Sequence, residues 1–250
     1  MSIVTSRAIL LRSYPYSETS RIFRFLTAEL GVVGLLARGA RRGDARGRGT
    51  LDTFDEGELT IHFRANRELQ TFRDFTPTRS RRGLATDLVR FAGASILAEL
   101  VLRHSGEEEA GALFEAVRTG LERIEAETAQ DPLPRILSEG WQIVALLGYA
   151  PILDRCIHCG EAFEESADEV GRFDFASGGI RCARCGGERD GRRIGPIART
   201  QLAALLENRP PDVLSGAPAH IRLFGDFVAY HVSDSRPLNA VGFLTDLLKR

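Results

Sequence analysis

The spacing of apolar residues changes once along this chain, and that change constrains the fold more than any other feature. Up to residue 75 the apolar positions fall in short runs: IVTSRAILLR, RIFRFLTA, GVVGLLAR, GELTIHF and ELQTFRDF. These runs are rich in Ile, Val, Phe, Thr and Leu, which suit a pleated, half-buried surface. Turn formers separate them: Pro15-Tyr16-Ser17-Glu18, Glu29-Leu30-Gly31, an arginine-rich loop, and Arg64-Ala65-Asn66-Arg67. Thr76-Pro77-Thr78 ends this region, and from about Arg82 the period lengthens to near 3.6. Five strands at this spacing predict a small closed or partly open β-barrel, with the five-stranded OB-fold as the leading candidate. An SH3-like barrel would read similarly.

The second part reads as helices. Leu84, Leu88, Phe91, Ser95 and Leu97 to Leu102 lie on a long apolar helix ending near His104-Ser105-Gly106. Glu107 to Glu127 is amphipathic through Leu113, Phe114, Val117, Leu121 and Ile124. A third helix spans Leu133 to Leu147 and stops at Gly148, with Pro151 beyond. Helical periodicity resumes over 197–207, 218–232 and 239–249, after a glycine-rich stretch at 152–194 that holds every cysteine. The expected fold class is α+β and multidomain: an N-terminal five-stranded OB-fold β-barrel over 1–80, then a mostly α-helical domain over 81–250. The latter carries a cysteine-rich insert at about 153–194.

Charge divides the same way. Residues 1–83 hold 15 arginines against 9 acids, whereas residues 84–250 hold 18 bases against 25 acids, within a total net charge of −1. This asymmetry suggests a basic module that meets a polyanion, joined to an acidic one that does not. The basic charge peaks in GARRGDARGRG (39–49), where Arg41, Arg42, Arg46 and Arg48 follow Arg38. Charge-rich loops are commonly just solvated. This one is nearly all one sign, is glycine-rich so that its backbone can approach a partner, and joins two strands. Nearby runs add Arg12, Arg21, Arg24, Arg64, Arg67 and Arg73, interleaved with Tyr14, Tyr16, Phe23, Phe25, Phe63 and Phe72. Cations tracking phosphates and aromatics stacking bases are how OB-folds hold single strands. Most of those phenylalanines are needed for the barrel core, so the aromatic signal is weak.

The cysteines form CIHCG (156–160) and CARCG (182–186). Each CxxC turns tightly enough for two thiolates to share one ion, and the following glycine permits a left-handed backbone. Cys156, Cys159, Cys182 and Cys185 would complete the tetrahedral shell of one structural Zn²⁺ per chain, with no position left for catalysis. A disulfide scaffold and metal-free knuckles remain as alternatives, and His158 is a less favoured ligand.

No catalytic constellation is evident. A Walker loop needs a lysine after its last glycine, and the one lysine is Lys249. GxGxxG in a strand–helix context, GxSxG and HExxH are all missing. His220 and His231 lack an acidic or cysteine companion at ligand spacing. The chain is expected not to be an enzyme. No apolar stretch approaches the roughly 20 residues of a membrane span, and the start lacks a signal peptide's features, so a cytoplasmic location is expected. Leu223, Phe224, Phe227, Tyr230 and Phe243 form a candidate apolar groove for a protein partner.

Six stretches carry a resemblance to a known family: AILLRSYPYSETSRIFRFLTAELGVVGLLARGAR (8–41), GTLDTFDEGEL (49–59), RELQTF (67–72), CIHCG, RFDFASGGIRCARCG (172–186) and LNAVGFLTDLL (238–248). In them the chain resembles the RecO family of bacterial recombination mediators. The resemblance implies an N-terminal OB-fold and a helical domain with a zinc ribbon. It also implies binding to single- and double-stranded DNA, annealing of complementary strands without ATP, and DNA repair in the bacterial cytoplasm in association with the nucleoid. The partners implied are RecR and single-strand-binding protein, with functional links to RecA and RecF. A zinc-ribbon RNA- or ribosome-associated protein, and a nucleic-acid-modifying enzyme with an unseen site, are the rival classes.

Overall fold

The computed structural model describes residues 2–38, 51–104, 109–163, 169–186, 191–233 and 235–249. The five apolar runs are five strands: β1 (Ser2–Pro15), β2 (Arg21–Thr27), β3 (Gly31–Ala37), β4 (Glu56–Phe63) and β5 (Leu69–Arg79). They close on themselves in the order β1-β2-β3-β5-β4. Neighbours are antiparallel except β3 and β5, which run parallel and therefore need a crossover. Alternation along each strand sends Ala8, Leu10, Phe23, Phe25, Val33, Leu35, Leu59 and Ile61 into one buried core. Most of the phenylalanines in the aromatic series are therefore core. Phe23 and Phe25 are buried, and Phe63 and Phe72 pack against the same cluster.

One irregularity matters later. The β1–β2 register shifts between Leu10, opposite Phe25, and Arg12, opposite Arg24. Under strict alternation Arg12 would share the inward face of Leu10; the extra residue, Leu11, turns it outward. At the same place the chain returns from the arginine-rich segment. Phe54 N–H donates to Leu10 O at 2.7 Å and Leu10 N–H to Asp55 O at 3.0 Å. Phe54 is buried despite a left-handed φ of 74°, which costs a residue with a Cβ some strain.

Three helices complete the first compact unit, Met1–Ala126: α1 (Arg82–Ala85), α2 (Leu88–Arg103) and α3 (Ala110–Ala126). The single long helix expected from Leu84 onward is broken. Asp87 caps α2 instead, its carboxylate accepting from Val89 N–H at 2.8 Å and Arg90 N–H at 3.0 Å. Compactness thus divides the chain well beyond the change of period near residue 80.

The second unit, Glu127–Arg250, contains α4 (Leu133–Leu146), β6 (Gly171–Asp174), β7 (Gly179–Arg181), β8 (Arg192–Ile194), α5 (Pro196–Leu206), α6 (Ala217–His231) and α7 (Asn239–Leu247). Gly148 stops α4 as expected, with φ 86°, and Tyr149 N–H reaches back to Val144 O at 3.1 Å. The core centres on Trp141, whose ring lies 5.2 Å from both Phe224 and Phe227. A Cβ on Gly140 would sit 2.8 Å from the Phe224 ring, so that helix face must be bare. The groove expected from Leu223, Phe224, Phe227, Tyr230 and Phe243 does not form. The first three are buried, and only Tyr230 and Phe243 are exposed. The cysteine-rich insert holds a sheet of order β7-β6-β8, tied to α6 by Phe173 against Phe227 and by His231 Nε2 within 2.6 Å of Phe175 O.

Candidate nucleic-acid interface and metal centre

The face of β1–β3 opposite the core carries a pattern that cross-strand register makes explicit. Arg12 lies opposite Arg24, Arg24 opposite Gly34, and Gly34 opposite Leu69. Two residues along, Tyr14 lies opposite Ile22, Ile22 opposite Leu36, and Leu36 opposite Thr71. A cationic row thus borders an apolar one. Ile22 and Leu36 are half-buried, and Arg38 is exposed just past the end of β3. Arg24 lies flat across the sheet: a Cβ on Gly34 would come within 2.7 Å of its guanidinium. The Arg12 guanidinium stands 5.2 Å from the centre of the Tyr14 ring.

Like charges directly opposite one another repel, and the Arg12–Arg24 pair is such a case. Among the described residues, Arg12, Arg21, Arg24 and Arg38 have no carboxylate partner. Several other arginines of the same unit are neutralised. Arg7 meets Glu115 at 2.8 Å, Arg79 meets Glu122 at 3.0 Å, and Arg82 meets Asp52 at 3.0 Å. Arg81, fully buried, binds Glu56 at 2.5 Å and donates to Phe54 O at 3.1 Å. The Glu115 carboxyl is held below the usual carboxylate range by its hydrogen bond from Arg118, and also by Arg7. Of these cations without a carboxylate partner, Arg12 and Arg24 share one face of the sheet and Arg38 stands at a strand end.

Of the arginines expected at the interface, Arg12 and Arg24 are brought side by side, with Arg38 at the strand end. Arg21 is not on that face. It shares the alternation of Phe23, and its Nε donates to Ser13 Oγ at 2.8 Å. Arg41, Arg42, Arg46 and Arg48 lie outside the described residues. Sequence reasoning missed Ile22, Gly34 and Leu36; RIFRF alternating against GVVGLLA held the signal for all three.

In the second unit the two cysteine knuckles converge, and the four sulfurs all lie within 4.8 Å of one another. A Zn–S bond of about 2.3 Å implies tetrahedral edges of roughly 3.8 Å, and Cys159 Sγ to Cys182 Sγ is 3.9 Å. Gly160 takes φ 76° so that its N–H closes onto Cys156 O at 2.9 Å, and Gly186 N–H does the same to Cys182 O at 2.9 Å. All four thiols are free of disulfides. Burial pushes the Cys156 thiol up, but N–H donors of Cys159, Cys182 and His158 outweigh it and lower the pKa to about 6. Cys185, hydrogen-bonded to the Cys182 thiol and crowded by Cys159 and Cys156, is pushed up to about 12. Four sulfurs this close cannot all ionise without a cation between them, so the donor set fits a metal ion. His158 is exposed and outside the cluster. His220 is buried, which lowers its pKa, and its Nε2 has no partner among the described residues.

These features define a two-part protein: a closed five-stranded sheet with unpaired surface arginines, and a helical unit whose insert carries a four-thiol cluster. The models named "Recombination protein O N terminal" and "Recombination protein O C terminal" match residues 1–81 and 85–228. The chain belongs to the recombination protein O (RecO) family. DNA repair protein RecO of Bacillus subtilis (strain 168) is 32% identical over 199 residues, covering 79% of this chain and 73% of the relative. Its counterpart in Anaeromyxobacter sp. (strain K) is 33% identical over 212 residues, with 82% and 79% covered. That of Synechococcus elongatus is 30% identical over 213 residues, with 81% and 77% covered. Among the described residues no helix is long and apolar enough to cross a membrane.

Proposed function

We propose that this chain is a DNA-binding mediator of DNA repair and recombination, not an enzyme. It holds DNA on the outer face of β1–β3 together with the arginines of 38–48. The observation that carries this reading is the opposed Arg12–Arg24 pair, a repulsive arrangement that a polyanion relieves. The names of the relatives, which are DNA repair proteins, point the same way. Phosphate contacts position a strand without reading its bases. A strand neutralised on this face can therefore meet its complement, and annealing needs no nucleotide. Residues 1–80 are the DNA-binding module in this reading. The acidic remainder serves partners, namely RecR and single-strand-binding protein, with RecA loading and RecF downstream. Cys156, Cys159, Cys182 and Cys185 hold one structural Zn²⁺, which would fix the insert and leaves no open coordination position.

The test is annealing of complementary strands by the purified protein, with and without ATP, across a salt series. Annealing without ATP is expected. With about 4–6 single-strand phosphate contacts, affinity drops roughly 50- to 350-fold between 50 and 200 mM salt. Arg12→Ala with Arg24→Ala flattens the salt slope by about 1.4. Annealing that appears only with ATP, or an unchanged slope in the double variant, overturns the reading.

A further inference from the structure

Unpaired arginines explain attraction to any polyanion, duplex or single strand. They do not explain the apolar row beside them. Tyr14 is 38% exposed and Tyr16, two residues further on, is 61% exposed. Ile22 and Leu36 continue the row across β2 and β3. A protein surface commonly exposes single apolar side chains, but this strip runs across three adjacent strands and lies against a cationic border. The surface complementary to it has flat apolar faces on an anionic backbone, as in single-stranded nucleic acid. A duplex offers the same phosphates while keeping its base faces stacked inside.

Spacing supports that occupant. Residues two apart on an antiparallel strand are about 6.8 Å apart, twice the roughly 3.4 Å rise per nucleotide within a duplex strand. Arg12 and Tyr14 stand at that interval on β1, Tyr16 follows just past its end at Pro15, and all three are exposed. A strand laid along them with one nucleotide at each position is stretched until its bases no longer stack on one another. The exposed tyrosine faces replace the lost stacking. The Arg12 guanidinium at the Tyr14 ring restrains that ring, so the platform is partly set before a strand arrives.

Resting on the DNA-binding reading above, the geometry points to a division of labour on this face. Arg12 and Arg24 bind the phosphates of either form. Tyr14 and Tyr16, with the Ile22–Leu36 strip, select single-stranded DNA by taking its splayed bases. The platform makes the protein prefer a strand awaiting its complement over a finished duplex, which favours release once pairing is complete.

The experiment compares a 20-nucleotide thymine-rich strand with a duplex of equal length, by fluorescence anisotropy at fixed salt. Tyr14→Ala and, separately, Tyr16→Ala are each expected to weaken single-strand binding roughly tenfold or more, within the range of base–aromatic stacking. Duplex binding should change less than about twofold, and the salt slope should stay as in the parent. Tyr16 lies beyond the end of β1, so its removal leaves the sheet intact, and an unchanged thermal midpoint checks Tyr14→Ala. Arg12→Ala with Arg24→Ala is expected to weaken both substrates and to flatten the slope. If the tyrosine variants bind both forms as the parent does, or lose both equally, while the arginine variant loses both, the platform is overturned and DNA binding by this face stands. If the arginine variant also binds both forms normally, the underlying reading falls with it.

Discussion

The closed N-terminal sheet and the cysteine-rich insert are both small β structures, yet they cohere for different reasons. The first has strands of 7 to 14 residues that wrap a continuous apolar core, with Leu10, Phe25 and Leu35 fully buried. The second has strands of 4, 3 and 3 residues, and among its described residues the buried apolar side chains besides the cysteines are Leu153, Phe173, Ile180 and Ile194. Strands this short need a further apolar face or a helix to pack on, and here α6 supplies one contact through Phe227 against Phe173. Burial suffices for one region, whereas the other has little core beyond its packing on α6 and, on the proposed reading, relies on a metal held by the four thiols.

The sharpest test of that contrast removes the metal. Structural zinc contributes roughly 10–16 kcal/mol in model fingers at neutral pH, as much as the whole stability of a typical domain. Chelation, or Cys159→Ser or Cys182→Ser, is expected to abolish amide-exchange protection in β6–β8 and leave β1–β5 protected. Simultaneous loss in both regions would break the comparison. Because Cys185 is pushed up to about 12, it must shed a proton on ligation. Metal uptake at pH 7 should therefore release protons, and affinity should rise with pH, as a weakly buffered dye titration would read.

A smaller effect is expected from the other side. Phe25 is fully buried and packs 4.9 Å from Phe75. Phe25→Ala should destabilise the sheet by about 3–5 kcal/mol while zinc content stays at one per chain. Zinc loss in that variant would mean that the two regions do not cohere independently. Smallest of all is Glu115→Gln, which frees Arg7. Its effect on stability should be under about 1 kcal/mol, since the pair is exposed. The Glu115 carboxyl is held low, so what the pair contributes is present at neutral pH and is lost as pH falls through the lowered pKa. The freed Arg7 should leave the salt slope unchanged if DNA keeps to the Arg12–Arg24 face.

How much of this was legible depended on the length of each signal. Long alternating runs such as RIFRFLTA declare a strand because one face must be buried, and the CxxCG pairs foretold a cluster of four thiols that could hold a metal. The strands at Gly171–Asp174, Gly179–Arg181 and Arg192–Ile194 are too short for any period to register. The bulge at Leu11 was hidden because Ile9-Leu10-Leu11 is apolar throughout and masks the change of face. Asp87 shows a different failure. It is an ordinary N-cap residue before an apolar run, and it was read through because the helical period on either side matched. Likewise Ile221, Leu223, Phe224, Phe227 and Val228 form the buried stripe of α6, at i, i+3, i+4 spacing that the expected groove overlooked.

The hydrogen bonds joining Phe54 and Asp55 to Leu10 have a consequence for the arginine-rich segment. One end of that segment leaves β3 at Ala37, paired with Arg21, and the other is fastened to β1 two residues from Arg12. With both ends fixed, chain length alone limits the 16 residues between Ala37 and Phe54 to a reach of roughly 30 Å from those anchors. On the proposed DNA-binding reading, a polyanion captured by Arg12 and Arg24 would meet Arg41, Arg42, Arg46 and Arg48 within that reach, at an effective concentration on the order of millimolar. Each further contact then forms without a new diffusive encounter. Lengthening the segment with glycine and serine should dilute that advantage gradually, whereas cutting the backbone near Arg46 would unfasten the arginines from one anchor at a stroke.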